Sequence, residues 1–280
     1  MLRMIKRGFS IGKLICYIVL IIWAVITIYP LIYTFLTSFK TQTSMYTNMF
    51  GLPETWHFEN YAGLFADMGF GKSIFNSFFI TITTVVCQLV ISCMVSFVIT
   101  QIRFKSSNKV LGLFVIGMLI PAQVLIIPIS IMAKYMDGYN NLPFLICVYI
   151  ATGMPYMIFV ICGFMKNLPK ELMEAGLIDG CNGLKTFTKI VVPLSRPAIA
   201  TMGMLSFIGT WNEMIIALIL LKKNELKTVS LALNMFAGDR FSNFPGMCAA
   251  VMIGVLPTML IYFIFQENII AGMTAGAVKG

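Results

Sequence analysis

Long apolar runs alternate with short polar interruptions along the whole chain, and that alternation predicts most of its structure. Six runs approach or exceed the roughly 20 apolar residues a membrane-crossing helix needs: about 14–36, 73–100, 110–132, 143–164, 198–221 and 247–266. Prolines interrupt several of them, with Pro30 in the first, Pro121 and Pro128 in the third and Pro155 in the fourth. A proline there predicts a kink, and the carbonyls it frees need partners in protein or in a water-filled cavity. Between the second and third runs, Arg103, Lys105 and Lys109 make a basic turn; Asp137-Gly138 and Asn140-Asn141 join the third to the fourth. Longer polar stretches follow Lys40, up to about Gly71, and separate the last two runs over 222–245.

One interruption differs from the rest. Residues 174–197 read EAGLIDGCNGLKTFTKIVVPLSRP. Leu168-Pro169 opens a helix there, with Glu171 and Glu174 near its start, where the helix dipole favours negative charge. Leu172, Met173, Gly176 and Leu177 fall at helical spacing and predict an apolar stripe. Gly180 ends that helix, and Asn182-Gly183 starts a second that runs towards Pro193. A helix of about 10 residues is marginal in water alone, so its apolar side must pack on something. Either the segment folds back on its own membrane domain, or it docks a separate protein.

Composition sets the class. Hydrophobic residues make up 59% of the chain and charged ones 11%, against about 25% charged in a soluble domain. That describes a polytopic membrane protein without a sizeable soluble domain. The net charge of +9 would suggest nucleic acid in a soluble chain, but in a membrane chain lysine and arginine gather on the cytoplasmic side. The basic N-terminus (Arg3, Lys6, Arg7, Lys13) is no secretory signal, because the run behind it is too long and ends in TSFK without a small-residue cleavage site. With both termini inside, six spans place thirteen of the 20 lysines and arginines on the inner side, as the charge bias requires. The same topology puts residues 174–197 in the cytoplasm.

Catalytic and metal chemistry find no footing. The seven cysteines are scattered, nearly all within apolar runs, and form no CxxC or ligand cluster; His57 is the only histidine and reads as a loop residue. Gly71-Lys72-Ser73 ends in a near miss to a phosphate-binding loop, but the leading position is Ala66, no strand precedes it and a span follows at once. No Ser-His-Asp set or spaced carboxylate pair is present, so the chain is not expected to be an enzyme or to hold a cofactor. Any ATP-driven work needs a separate ATPase. The polar feature inside the spans is Trp211-Asn212-Glu213, where Glu213 is the acidic residue well inside an apolar run. Such a group must face a bundle interior, a partner or a cavity. It either lines a translocation path or makes an interhelical hydrogen bond that fixes the fold. Phe78, Phe79, Tyr149, Tyr156 and Phe207 have faces suited to sugar stacking, although packing against lipid or core explains most of them.

Glu174-Ala175-Gly176, followed by Gly180, Ile190 and Pro193, resembles the EAA loop of the membrane subunits of ATP-binding-cassette importers. The longer pattern, Ile178-Asp179-Gly180 with Phe187, Ile190, Pro193-Leu194 and Pro197, resembles the carbohydrate branch, the maltose-type inner-membrane permeases. Glu59-Asn60-Tyr61, Asn76-Ser77, Trp211-Asn212-Glu213 and the closing AGMTAGAVKG resemble the same branch. The triplet departs from the family in having Gly176 for alanine, another small residue that still permits close packing.

The resemblance implies an all-α membrane protein with a cytoplasmic N-terminus (1–13), a six-helix transmembrane permease domain (14–266) and a cytoplasmic tail (267–280). A coupling helix lies in the EAA loop (167–197), between spans four and five. It assigns ATPase coupling to Glu171, Glu174, Ala175, Gly176, Asp179, Gly180 and Pro193, the translocation path to Asn212 and Glu213, and ATPase contacts in the tail to Thr274, Gly276 and Lys279. The implied partners are a second, related permease subunit forming a heterodimer, two ATPase subunits that bind the ATP, an external sugar-binding protein, a carbohydrate substrate and membrane lipid, with no nucleic acid. The implied location is the bacterial inner membrane, multi-pass with both termini cytoplasmic. A different class, an ion-coupled secondary transporter using Glu213, explains the buried acid but not the amphipathic segment.

Overall fold

The computed structural model describes residues 11–66, 69–102, 104–238 and 243–277, apart from the side chains of 236–238 and 267–277. Every regular element among them is a helix. The chain divides into two compact units, one comprising Met1–Met68 with Phe236–Ile253, the other Gly69–Met235 with Gly254–Gly280.

The first unit is led by α1 (Ile11–Thr37), which continues through Pro30. None of its most apolar stretch is buried, as suits a helix whose solvent is lipid or a partner subunit. Two short helices follow, α2 (Gln42–Thr47) and α3 (Glu59–Ala66). The turn beneath α1 is held by aromatic packing: Phe39 is buried among Trp56, Phe58 and Tyr61, with ring centroids 4.9, 5.2 and 5.2 Å away. Lys40 is fully buried, with no carboxylate partner among the described residues, and its Nζ donates to the carbonyls of Asn48 (2.6 Å) and Met49 (3.2 Å). Asn60 Nδ2 donates to Ser38 O and Lys40 O, which ties α3 to the same turn. His57 sits in this loop beside Glu59, with Nδ1 3.0 Å from the carboxylate.

The second unit is built around α4 (Phe70–Phe97), which runs into a π-helical turn over Val98–Ile102. Its two faces are inverted relative to a soluble helix. Ser73, Ser77, Thr81, Thr84, Gln88, Ser92 and Ser96 recur every three or four residues and are all buried. Phe75, Phe79, Ile82, Val86, Val90 and Met94 recur at the same spacing and are all exposed. In lipid, burial of apolar surface does not drive helices together; close approach of small side chains and hydrogen bonds does. After α4 come α5 (Ser107–Met118), a 3₁₀ turn (Ala122–Leu125), α6 (Ile126–Tyr135) and α7 (Leu142–Met165). Gln88 Nε2 donates to Tyr149 O (2.7 Å), Ser96 Oγ to Ile158 O (3.3 Å) and Gln101 Nε2 to Met165 O (2.9 Å). Because the partners ascend together, α4 and α7 run parallel. The α5–α6 pair, which connects them in sequence, returns along α7: Val110 and Leu111 pack near Ile158 and Cys162, Gly117 meets Pro155, and Ile129 and Ala133 reach Leu145.

The third apolar run is therefore not a single kinked helix as the pattern predicts. It breaks between Met118 and Ala122 with a bend of 85°. Pro121 has no N–H, and it biases Ile120 towards extended backbone. The fifth run is also broken. After α8 (Lys170–Ile178), α9 (Gly183–Thr186), a π turn (Phe187–Val191) and α10 (Val192–Leu194), the chain bends by 75° into α11 (Arg196–Asn212). That helix stops at Glu213, and α12 (Ile215–Leu220) resumes two residues later. The chain then continues through α13 (Val229–Gly238) to α14 (Phe244–Ala277). This last helix runs eleven residues beyond the predicted end of the sixth run, so most of the expected tail is helical backbone. Among the described residues, four helices are long and apolar enough to cross a membrane, or up to six if each bent pair counts as one span.

Candidate translocation cleft and docking segment

Both mid-run breaks open onto one cleft of about 290 Å³ in the second unit. Ala122 from the first break and Glu213 from the second line it, with Gln88, Tyr149, Tyr156 and Ser206. Irregular backbone at membrane depth is tolerated where it is buried in protein or lines a water-filled cavity. Gln88 organises the wall: Nε2 bonds the Tyr149 carbonyl, and Ser206 Oγ donates to its Oε1. Gly153 makes room for that amide, since a Cβ there would overlap Gln88 Nε2.

Glu213 is fully engaged. Oε1 accepts from Ile216 N (2.8 Å), Oε2 from Ala217 N (3.2 Å), and the Tyr149 hydroxyl donates to Oε2. The carboxylate thus caps α12 where the helix would otherwise start without partners, and its rim faces the cleft. The side chain makes the interhelical hydrogen bond that one sequence reading expects, to Tyr149, and it also borders the cleft. Glu213→Leu would orphan two backbone N–H groups and a tyrosine hydroxyl, each costing about 1–3 kcal/mol. Glu213→Gln keeps one acceptor. Thermal unfolding of the solubilised protein should place leucine well below glutamine; equal melting temperatures for the two variants would contradict the capping role.

The other tryptophan-motif residues face elsewhere. Trp211 is buried against Phe207 and Phe78, and its Nε1 donates to Gly254 O (3.0 Å). Asn212 is exposed and donates back to Ile208 O of its own helix, outside the cleft lining. Of the aromatic candidates, Tyr149 and Tyr156 line the cleft; Phe78, Phe79 and Phe207 do not. Gln88, Gly153 and Ser206 were missed, although an amide within a serine- and threonine-striped run was a visible signal for Gln88.

At the α4–α7 end marked by Phe97 and Met165, the segment 167–197 folds as a unit. Pro169 precedes α8, and Glu171, Glu174 and Ala175 are exposed along it. The predicted stripe divides. Met173 packs on the core beside Phe187, and Gly176 is buried against Ile190, whose Cδ1 would lie 2.5 Å from an added Cβ. Leu172, Leu177 and Ile178 point outward, 40%, 65% and 87% exposed. Gly180 ends the helix at φ +75°, with Gly180 N bonded to Leu177 O and Cys181 N to Gly176 O, a Schellman closure. Asp179 is exposed beside it, and the space around Gly180 is open. Asn182 caps α9 through Lys185 N (2.9 Å). Pro193 lies just after the π turn; lacking an N–H and crowding the carbonyl four residues back, it accounts for the widening. Phe187 anchors that turn on Phe97, with centroids 5.3 Å apart. In the tail, Thr274 and Gly276 lie on the α14 backbone, and Lys279 falls outside the described residues.

A largely apolar cleft with a few polar groups at helix breaks, and a helix with exposed apolar side chains at one end of the bundle, fit a membrane transport permease. The chain belongs to the binding-protein-dependent transport system inner membrane components, whose family pattern matches residues 88–274. It is 31% identical over 267 residues to the multiple sugar-binding transport system permease protein of Streptococcus mutans, covering 94% of this chain and 96% of that one. It is 26% identical over 267 residues to a diacetylchitobiose uptake system permease protein of Streptomyces coelicolor, covering 95% and 88%. Its fold matches a chain of a bacterial ABC transporter that imports the acidic polysaccharide alginate, with TM-score 0.80, 22% identity and coverage of 92% and 98%.

Proposed function

We propose that this chain is one of two permease subunits of an ATP-driven carbohydrate importer, lining half of the translocation path and coupled to a separate ATPase through α8. The exposed trio Leu172, Leu177 and Ile178 on a helix whose other side is anchored by Met173 and Gly176 carries the reading. Three apolar side chains held outward on one anchored helix make an exposed patch of the kind that marks a protein contact. Glu171 and Glu174 stand on the same element, offering acidic contacts beside the apolar ones. ATP binding and closure of the ATPase pair would move α8 and, through Phe187 on Phe97, the bundle itself. A sugar-binding protein delivers substrate from outside, a related permease completes the path against the unburied surface of α1, and the α14 tail with Thr274, Gly276 and Lys279 reaches the ATPases.

Six spans follow if α5–α6 crosses once and α11 with α12 crosses once, leaving α9 and α10 on the inner side. The parallel course of α4 and α7 supports that count, because the intervening α5–α6 pair must then carry the chain back. The basic turn and segment 167–197 share the inner side in this arrangement, in a bacterial inner membrane with both termini cytoplasmic. The engaged carboxylate of Glu213 argues against its use as an ion-coupling group. Cysteine labelling in intact cells tests the topology: position 57 should react from outside and position 185 only after permeabilisation. Labelling of position 185 in intact cells would overturn the orientation and the docking role together. Uptake of a panel of labelled sugars, with and without this chain, tests the substrate class.

A further inference from the structure

At the same end of the bundle as α8, a second cavity of about 480 Å³ lies between the α4 π turn, the start of α5 and the end of α7. Its lining is polar and basic: Thr100, Lys105, Ser107, Asn108 and Lys166, with no carboxylate among them. Neither lysine is in an ion pair among the described residues. The start of α5 adds to this positive field. Ser106, its N-cap, makes no side-chain capping bond, and Ser107 Oγ is turned back to accept from Phe104 N (2.9 Å). Ile99 and Phe104 form a shared wall between this cavity and a wholly apolar groove lined by Met94, Val98 and Val110. Met94 is on the exposed apolar stripe of α4, and Val98, the first residue of the π turn, continues it one turn on.

We infer that this paired cavity and groove is a binding site for an anionic phospholipid, with its phosphate between Lys105 and Lys166 and an acyl chain along Met94 and Val98. The arrangement matches the ligand end to end. Both lysines sit just past the ends of membrane-length helices, and the groove shares Ile99 and Phe104 with the cavity while Met94 joins it to the exposed apolar stripe of α4. Basic pockets between helix ends hold lipid phosphates by charge, while the chain adds apolar burial. A free anion would use only the first half. The site goes beyond the transport reading and does not depend on it, since no residue of α8 or of the cleft takes part.

Native mass spectrometry of the delipidated, full-length transporter tests it, with phosphatidylglycerol, phosphatidylethanolamine and inorganic phosphate as probes. Wild type should retain phosphatidylglycerol over phosphatidylethanolamine, and inorganic phosphate should not displace it. Lys105→Ala with Lys166→Ala should weaken phosphatidylglycerol retention at least roughly tenfold, and arginine at both positions should restore it. Val98→Trp, which fills the groove, should reduce lipid retention with the lysines intact. Equal retention of both lipids by wild type, undiminished retention by the double alanine variant, or displacement by inorganic phosphate would each overturn the inference. Loss of the ATPase subunits with unchanged lipid retention would do so too, assigning the lysines to a protein contact.

Discussion

Ile178→Asp is expected to reduce sugar uptake at least roughly tenfold while leaving the amount of inserted chain unchanged. Ile178 is 87% exposed, so the substitution removes almost nothing from the packing of its own chain. Any loss must arise where the side chain meets another molecule. A fully buried isoleucine contributes about 1.5–3 kcal/mol to such a contact, and aspartate adds the cost of desolvating a charge. Gly180→Asp should act in the same direction by a second route. At φ +75° a side chain strains the Schellman turn by about 1–2 kcal/mol, and the open space around Gly180 is then occupied by a carboxylate. Glu174→Lys, also exposed, should weaken docking more mildly through reversed charge. Uptake measured against membrane abundance separates these effects from misfolding; normal uptake with Ile178→Asp would make α8 an ordinary loop helix.

Gly153→Val is the second large expectation, and it concerns the cleft. The new side chain would occupy the place of the Gln88 amide, breaking its bond to Tyr149 O and its link to Ser206 together. Overpacking of this kind costs about 1–3 kcal/mol, and the displaced amide leaves buried groups unpaired. Uptake and thermal stability should both fall sharply. Combining Gly153→Ala with Gln88→Ala removes the overlap, so the double variant should be more stable than the sum of its singles predicts. Strict additivity in the melting temperatures would mean that the two residues do not share this space.

The same chemistry explains which parts of the fold were legible in the sequence. Long apolar runs are membrane helices because backbone groups in lipid must be satisfied internally, and α1, α4, α7 and α14 follow from that alone. The helix α8 was legible from its ends, Pro169 and Gly180, since both residues act locally. The breaks were not. Pro30, Pro155 and Pro257 lie inside continuous helices, whereas Pro121 coincides with an 85° bend, so surrounding packing rather than the proline decides the outcome. The break at Glu213 has neither proline nor glycine in it; capping by the side chain and its bond to Tyr149, 64 positions away, hold it open. The division of the α8 stripe was hidden for the same reason, because Met173 and Leu177 differ in what they meet and not in type.

The central claim is that α8 touches an ATPase, and site-specific photo-crosslinking tests it most directly. A photoreactive residue at position 178, in cells expressing the complete transporter, should yield an adduct with the ATPase subunit. The same residue at position 57, in the loop beside Glu59, should yield none. Absence of the ATPase adduct at 178, in complexes that still contain the ATPase, would contradict the account.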